Sequence, residues 1–149
     1  DRIETGRRVS VEREVFPATV ADGGLFAVVT DDYWTDTGRP ELFIGANIDL
    51  VEGRRSHRVA ACAPSASVEA SAIVERSVIG DRAVVGERAL VRGSVLLPGS
   101  SVAPGATVED SIVMGRVEAD AEVRDSVIGI DGVVAAGDRV VGARIPEPV

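Results

Sequence analysis

The sequence predicts a mainly β protein in which short parallel strands coil around a common axis, preceded by a smaller α/β segment. Two observations predict this class. Aliphatic residues recur at every sixth position through six repeats that begin at residue 73, and all five aromatic residues of the 149-residue chain lie before residue 44. The change in composition occurs in the charged stretch 52–58. We therefore assign two domains, residues 1–58 and 59–149.

The sixfold repeat predicts a short strand, then a corner, then another short strand. A helix would need apolar residues three and four positions apart, and an antiparallel sandwich would need turns every 8–12 residues. One aliphatic column is expected to point inward: Ile73, Ile79, Val85, Val91, Leu97 and Ala103. The alternate column is expected to point outward: Val78, Val84, Leu90, Leu96, Val102 and Val108. Its apolar character has two interpretations, the β-propensity of an exposed sheet or a face covered by another domain or subunit.

The register of the repeat slips after Val108, which predicts a short insertion at a corner. Three similar triplets indicate equivalent positions on successive coils: Ser77-Val78-Ile79, Ser111-Ile112-Val113 and Ser126-Val127-Ile128. If three hexads make one coil, about four coils fit between Pro64 and Gly142.

The first part of the chain predicts two helices and a strand. Ser10 is a plausible N-cap of the first helix, and Pro17 is expected to break or restart it. Residues 25–29 are expected to form a strand after a Gly-Gly turn. Pro40 is well placed in the first turn of the second helix, whose apolar stripe would be Leu42, Phe43, Ala46 and Leu50. Asp36 would then lie in a strand-to-helix connection, where ligand sites are frequent in α/β folds.

The composition excludes several functions. All 16 basic residues are arginine, which excludes a Schiff-base or phosphate-loop lysine. A single histidine and a single cysteine exclude zinc fingers and a disulfide framework; we expect His57 on the surface and Cys62 as a small buried residue. The net charge of −8 argues against a nucleic-acid partner, and no apolar run approaches the roughly 20 residues of a membrane helix. We expect a cytoplasmic protein.

The sixfold pattern resembles the hexapeptide-repeat family, and the resemblance implies a left-handed parallel β-helix. Acyltransferases, γ-type carbonic anhydrases and sugar-nucleotide enzymes share this solenoid, so the fold does not identify the function. Typical hexapeptide acyltransferases use a histidine as general base, and the carbonic anhydrases use several as metal ligands. Residues 59–149 contain no histidine, which disfavours both.

Two segments of the first part carry a second resemblance. Residues 10–17 (SVEREVFP) and 33–41 (YWTDTGRPE) resemble the end of the catalytic domain of sugar-phosphate nucleotidyltransferases, closest to the mannose-1-phosphate guanylyltransferases. These enzymes make a nucleotide-sugar and pyrophosphate from a sugar 1-phosphate and a nucleoside triphosphate. The resemblance implies that Asp36 helps to hold Mg²⁺ and that Glu12 accepts hydrogen bonds from sugar hydroxyls. Trp34 and Gly38 would shape the substrate site.

The family's Gly-Gly-x-Gly-Thr-Arg-Leu loop, its catalytic lysine and its first metal aspartate are absent from this sequence. We therefore expect the C-terminal portion of a longer enzyme, inactive alone, with GDP-mannose as the favoured product. The solenoid would serve oligomerisation or regulation in a homo-oligomer. A stand-alone structural or regulatory module is the alternative interpretation, and a hexapeptide acyltransferase is a weaker one.

Overall fold

The computed structural model describes residues 3–55 and 57–146. The chain divides into two compact units, one up to Tyr33 and one from Trp34 onward. The second unit holds a helix as well as the solenoid, so this structural division lies before the composition change at residues 52–58.

The first unit is built around one short helical segment. Ser10 caps it as predicted, since its Oγ accepts the N–H of Arg13 at 3.2 Å. A π-helical turn, Val11–Val15, leads directly into α1 (Phe16–Ala21), with Pro17 in its first turn. Pro17 therefore restarts the helix. The predicted strand at residues 25–29 is wrong: this segment is exposed and irregular, because no strand among the described residues pairs with it and an unpaired strand leaves its backbone groups unsatisfied.

The second unit begins with the predicted second helix, α2 (Pro40–Val51). Its C-terminal end is closed by Gly53 at φ +73° and by Arg58, whose Nε donates to the carbonyl oxygen of Val51 at 2.9 Å. The predicted apolar stripe is only partly correct. Of the predicted stripe, Ala46 is buried and Phe43 is partly buried, but the fully packed contacts with the solenoid come from Ile44 and Ile48.

The predicted solenoid is confirmed. Among the described residues, fifteen short strands form three parallel five-stranded sheets, which we call sheets I, II and III. Sheet I contains β1 (Ser67–Val68), β4 (Val84–Val85), β7 (Ser101–Val102), β10 (Arg116–Val117) and β13 (Val133–Val134). Sheet II contains β2 (Ile73–Glu75), β5 (Leu90–Arg92), β8 (Thr107–Glu109), β11 (Glu122–Arg124) and β14 (Arg139–Val141). Sheet III contains β3 (Val78–Ile79), β6 (Val95–Leu96), β9 (Ile112–Val113), β12 (Val127–Ile128) and β15 (Arg144–Ile145).

The coils are shorter than three full hexads, and this corrects both their number and the inward column. Val85 pairs with Val102, seventeen positions later, so the described residues give five strands per sheet rather than the expected four or so coils. One corner of each coil lacks a residue, and each such loss reverses which side chains face the core. Hence Ile79, Val85 and Val91 are buried as predicted, whereas Leu96, Val102 and Val108, predicted to point outward, are also fully buried.

The same correction applies at the start of the repeat. Ile73 pairs with the outward residue Leu90 and is 53% exposed, while Val74 pairs with Val91 and points inward. The core is thus a continuous column of Val, Ile, Leu and Ala that runs the length of the solenoid.

The predicted insertion after Val108 is wrong, because the corners there are short. Val108 and the next inward residue, Val113, are five positions apart, as Val91 and Leu96 are, and the corner after Val113 is shortened further. Two residues, Met114 and Gly115, connect β9 to β10, whereas four residues connect β6 to β7. The pairing offset falls accordingly, and Ser101 pairs with Arg116, fifteen positions later.

The three Ser-containing triplets do occupy equivalent places in sheet III, at β3, β9 and β12, with β6 between the first two. Their serines belong to a buried column that also includes Ser94: Ser77, Ser94, Ser111 and Ser126. Each Oγ accepts the N–H of the residue one coil further on, at 3.0–3.1 Å. Each also donates to the carbonyl oxygen two residues before it, at 2.6–2.8 Å. The column therefore satisfies backbone groups that the tight corner leaves out of the sheets.

We expect Ser111→Ala to lower the free energy of unfolding by about 1–3 kcal/mol, because it leaves the buried N–H of Ser126 without its acceptor. Urea denaturation measures the effect. Ser101→Ala is the matched control, since Ser101 is a half-buried outward residue of β7, and it should change the free energy by less than about 0.5 kcal/mol. Equal losses in the two variants would contradict a structural role for the column.

The outward faces of the three sheets differ. Helix α2 covers sheet III, where Val95 and Ile112 are buried against Ile44 and Ile48. On sheet I, Val84 and Val133 remain 45% and 42% exposed. The outward residues of sheet III are thus covered by a helix of the same compact unit, whereas those of sheet I stay partly exposed in this chain.

Sheet II is charged on its outer side. Arg92 lies between Glu75 and Glu109, with nitrogen–oxygen distances of 2.9 and 3.0 Å, and Arg124 contacts Glu109 at 3.0 Å. The hydrogen bond and charge of Glu75, and then those of Glu109, raise the pKa of Arg92 above its ordinary value. Glu109 is mostly covered, but Glu75, Arg92 and Arg124 are about half exposed, so the ladder adds little stability.

Cys62 is exposed, which corrects the prediction that it is buried. It bridges to Ile79 in parallel register, so it belongs to the first coil, at the end of the core column, where only one side of the residue is covered by a neighbouring coil. His57 is exposed, as predicted.

Candidate functional site

The connection that precedes α2 carries the aspartate singled out by the sequence. Asp36 is exposed, and its Oδ1 accepts the N–H of Gly38 at 2.8 Å. This local turn is typical of aspartate. Gly38 suits it, because a Cβ there would lie 3.1 Å from the same oxygen. Two residues later Pro40 begins α2, whose packing on sheet III fixes the C-terminal end of this connection.

Asp36 can supply one ligand to a magnesium ion but not a complete site. A carboxylate oxygen is the kind of ligand that Mg²⁺ prefers, and Mg²⁺ commonly uses one or two carboxylates together with substrate phosphates and water. Within residues 3–55 and 57–146, no group of three or more His, Cys, Asp or Glu side chains could hold a metal ion. Asp36 alone offers one carboxylate, and its part in holding Mg²⁺ remains a prediction.

Trp34 lies two residues before Asp36 and is 82% exposed. A large exposed indole can provide a flat apolar surface and one N–H donor to a ligand. The roles of Trp34 and Gly38 in shaping a substrate site remain predictions.

The first unit holds Glu12, in the opening turn of its helical segment. The neighbouring Glu14 has a structural role, since its carboxylate accepts the N–H of Ser10 at 3.1 Å and pairs with Arg7 at 2.9 Å. The Ser10 hydrogen bond, followed by the Arg7 contact, lowers the pKa of Glu14. Glu12 is exposed and takes no part in this cap, so its carboxylate is available to accept hydrogen bonds from a ligand.

A groove of about 330 Å³ lies between the Thr37–Arg39 segment and the outer side of sheet III. Its lining is apolar apart from the residues at its edge: Thr37, Gly38, Arg39, Pro40, Phe43, Leu97, Ile112, Met114, Val127 and Arg144. Sequence reasoning missed it, because Arg144 is remote from residue 39 in the chain. One signal was present in the sequence. Residues 143–145 (ARI) occupy the place of the Ser-containing triplets on the last coil, and Arg144 stands where those triplets have Val or Ile.

Comparison with known protein families identifies the family to which the solenoid belongs. Residues 47–133 match the family described as GlmU-like, C-terminal hexapeptide, and the match covers more than half of the chain. The chain belongs to this family. The match begins within α2, so the GlmU-like hexapeptide region includes the end of the helix that covers sheet III as well as most of the coils.

Individual relatives of this GlmU-like hexapeptide protein carry a consistent name. It is 54% identical to the mannose-1-phosphate guanylyltransferase of Mycobacterium tuberculosis over 55 residues, which are 36% of this chain and 15% of the relative. It is 37% identical to the Schizosaccharomyces pombe mannose-1-phosphate guanyltransferase over 67 residues, 45% of this chain and 18% of the relative. A probable mannose-1-phosphate guanylyltransferase 1 of Oryza sativa is 40% identical over 68 residues, 46% of this chain and 19% of the relative. The chain thus spans less than a fifth of the length of these relatives.

The helices in the part of the chain that the structure describes are too short or too polar to cross a membrane.

Proposed function

We propose that this chain is the C-terminal part of a mannose-1-phosphate guanylyltransferase that works in the cytoplasm. The observation that most directly supports this proposal is the exposed Asp36 turn, which leads directly into a helix packed on a hexapeptide solenoid. The names of its relatives support the same reaction. In that reaction, a phosphate oxygen of mannose 1-phosphate forms a bond to the α-phosphorus of GTP, the bond to the β-phosphate breaks, and GDP-mannose and pyrophosphate result.

The residues of this chain would act in binding and positioning. Asp36 would hold Mg²⁺ together with a carboxylate outside this chain, and the bound ion would offset negative charge on the phosphates. Glu12 would accept hydrogen bonds from sugar hydroxyls, which orients the sugar. Trp34 and Gly38 would shape the substrate site, Trp34 with its exposed ring and Gly38 by keeping the Asp36 turn compact.

The solenoid would act as the platform for this loop. Ile44 and Ile48 bury α2 against Val95 and Ile112, and this packing holds the end of the Asp36 connection. Orientation to within about an ångström matters for phosphoryl transfer, since small misplacements cost orders of magnitude in rate. A rigid coil is well suited to that task.

The test is a pyrophosphate-release assay on the polypeptide that combines this chain with its upstream coding sequence, using mannose 1-phosphate, GTP and Mg²⁺. Asp36→Asn keeps an oxygen that can accept the Gly38 N–H but removes the charge, and we expect kcat to fall about a hundredfold. The kcat of the Asp36→Ala enzyme should fall at least as far. The 149-residue chain alone should give no turnover, because it contains no lysine and so lacks the catalytic lysine of the enzymes it resembles.

The matched control is Asp131→Asn, an exposed aspartate at a corner of the solenoid, which should keep full activity. Absence of turnover with any sugar 1-phosphate and nucleoside triphosphate would contradict the proposal and favour a structural or regulatory module. An Asp36→Asn enzyme as active as the control would contradict the role of Asp36 alone.

We further propose that sheet I mediates homo-oligomerisation. Its outer face presents Val84 and Val133, both more than 40% exposed, with Ser101 and the exposed Arg116 on the two strands between them. We expect light scattering to show a multimer, and Val84→Arg to shift it towards the monomer. Glu87→Arg, on an exposed corner, controls for the added charge. If the unsubstituted protein were monomeric in light scattering, the proposed role of sheet I in oligomerisation would be contradicted.

A further inference from the structure

The groove beside residues 37–39 lies where the cover on sheet III ends. Helix α2 protects the outer side of β6 and β9. The apolar face then continues past the start of the helix to Val127 and ends at the charged Arg144 on the next strand. Leu97, Ile112 and Met114 line this region together with Phe43 of the helix. Met114 belongs to the shortened corner between β9 and β10, so this corner lies at the groove.

The charge of the groove is opposite to that of the chain. The chain has 24 acidic and 16 basic residues, yet the groove is lined by Arg39 and Arg144 and by no carboxylate. Arg39 contacts Glu41 at 3.3 Å in an exposed pair. None of the ion pairs within residues 3–55 and 57–146 includes Arg144. The nearest acidic cluster, formed by Glu41, Asp110 and Asp125, lines a separate cavity that Arg144 also borders.

The dimensions and chemistry of the groove select a class of ligand. A volume of about 330 Å³ is at the lower end of the roughly 300–1,000 Å³ of small-molecule sites. Arginine recognises phosphate with two parallel hydrogen bonds. The apolar floor suits a flat base, which can stack on Phe43 and Met114, whereas a sugar would leave its hydroxyl groups unpaired there.

We propose that this groove binds a nucleoside monophosphate, with its phosphate on Arg39 and Arg144 and its base on the apolar floor. The ligand would contact both the connection that carries Asp36 and the strand β15 of the solenoid. The binding proposal does not rest on the proposed function, since it is measured on the chain itself.

The experiment is isothermal titration of the 149-residue chain with GMP, supported by saturation-transfer NMR to detect the base protons. We expect saturable binding, with inorganic phosphate and guanosine each binding more weakly than GMP. Arg144→Gln should weaken GMP binding about tenfold, because it removes a charged hydrogen-bond donor from the phosphate. Arg116→Gln is the matched control, an exposed arginine of sheet I, and should bind GMP as the parent does.

Three outcomes would overturn the proposal: no saturable GMP binding, an equal loss in the Arg144→Gln and Arg116→Gln variants, or mannose 1-phosphate binding as tightly as GMP. Circular dichroism of each variant establishes that its fold is intact. Failure of these titrations leaves the pyrophosphate assay unaffected, and an inactive enzyme would leave GMP binding to the chain measurable.

Discussion

Val91→Asp is expected to unfold the solenoid. Val91 is fully buried in the core column and pairs with Val74 and Val108 on the adjacent coils. A carboxylate at this position would have no partner, and burying an unpaired charge or forcing its protonation costs several kcal/mol. That is on the order of the whole stability of a small domain, about 5–15 kcal/mol. The unfolding is measured as loss of the far-ultraviolet circular dichroism signal at room temperature.

The matched control is Val141→Asp. Val141 also lies in sheet II, but it points outward and is 56% exposed. The new carboxylate stays in water there, so the melting temperature should change by no more than a few degrees. A Val91→Asp protein that melts like Val141→Asp would contradict the inward assignment of Val91.

Gly115→Ala is expected to have the second-largest effect on stability. A Cβ at position 115 would collide with the carbonyl oxygens of Gly129 and Gly132 on the next coil. These are backbone atoms of a packed corner, which cannot rotate away as a flexible side chain could. We expect a loss of about 2–4 kcal/mol in the free energy of unfolding, as for overpacking of a tight interior, measured by urea denaturation.

Gly45→Ala provides the control of opposite sign. Gly45 lies within α2, and a Cβ there would meet no atom within 4 Å. Alanine is the better helix former by up to about 1 kcal/mol, so this variant should be slightly more stable than the parent. If Gly115→Ala were also neutral or stabilising, the two-residue corner could not be as close to its neighbour as described.

The candidate site was only partly predictable. Asp36 and Glu12 were found because their neighbours form recognisable short motifs, and the structure places both on the surface. The groove was not found. Arg39, Met114 and Arg144 are far apart in the chain and carry no common motif, and only the coiling of the strands brings them to the lining of one groove.

The solenoid itself could be predicted from the amino-acid sequence. A short strand and its corner repeat at a fixed period, and every repeat requires an aliphatic residue at the same place. Such local constraints act within a few residues. The helix after Pro40 was predictable for the same reason.

Only the tertiary structure decided which side chains face the core beyond Val91. The side-chain direction alternates with every residue of a strand, so a single residue lost at a corner reverses it. The pattern of apolar residues could not reveal that loss, since Leu96 and Leu97 are equally apolar. The decision comes from the pairing of whole coils, in which Leu96 pairs with Ile79 and Val113, and from the helix that covers the opposite side of the same sheet.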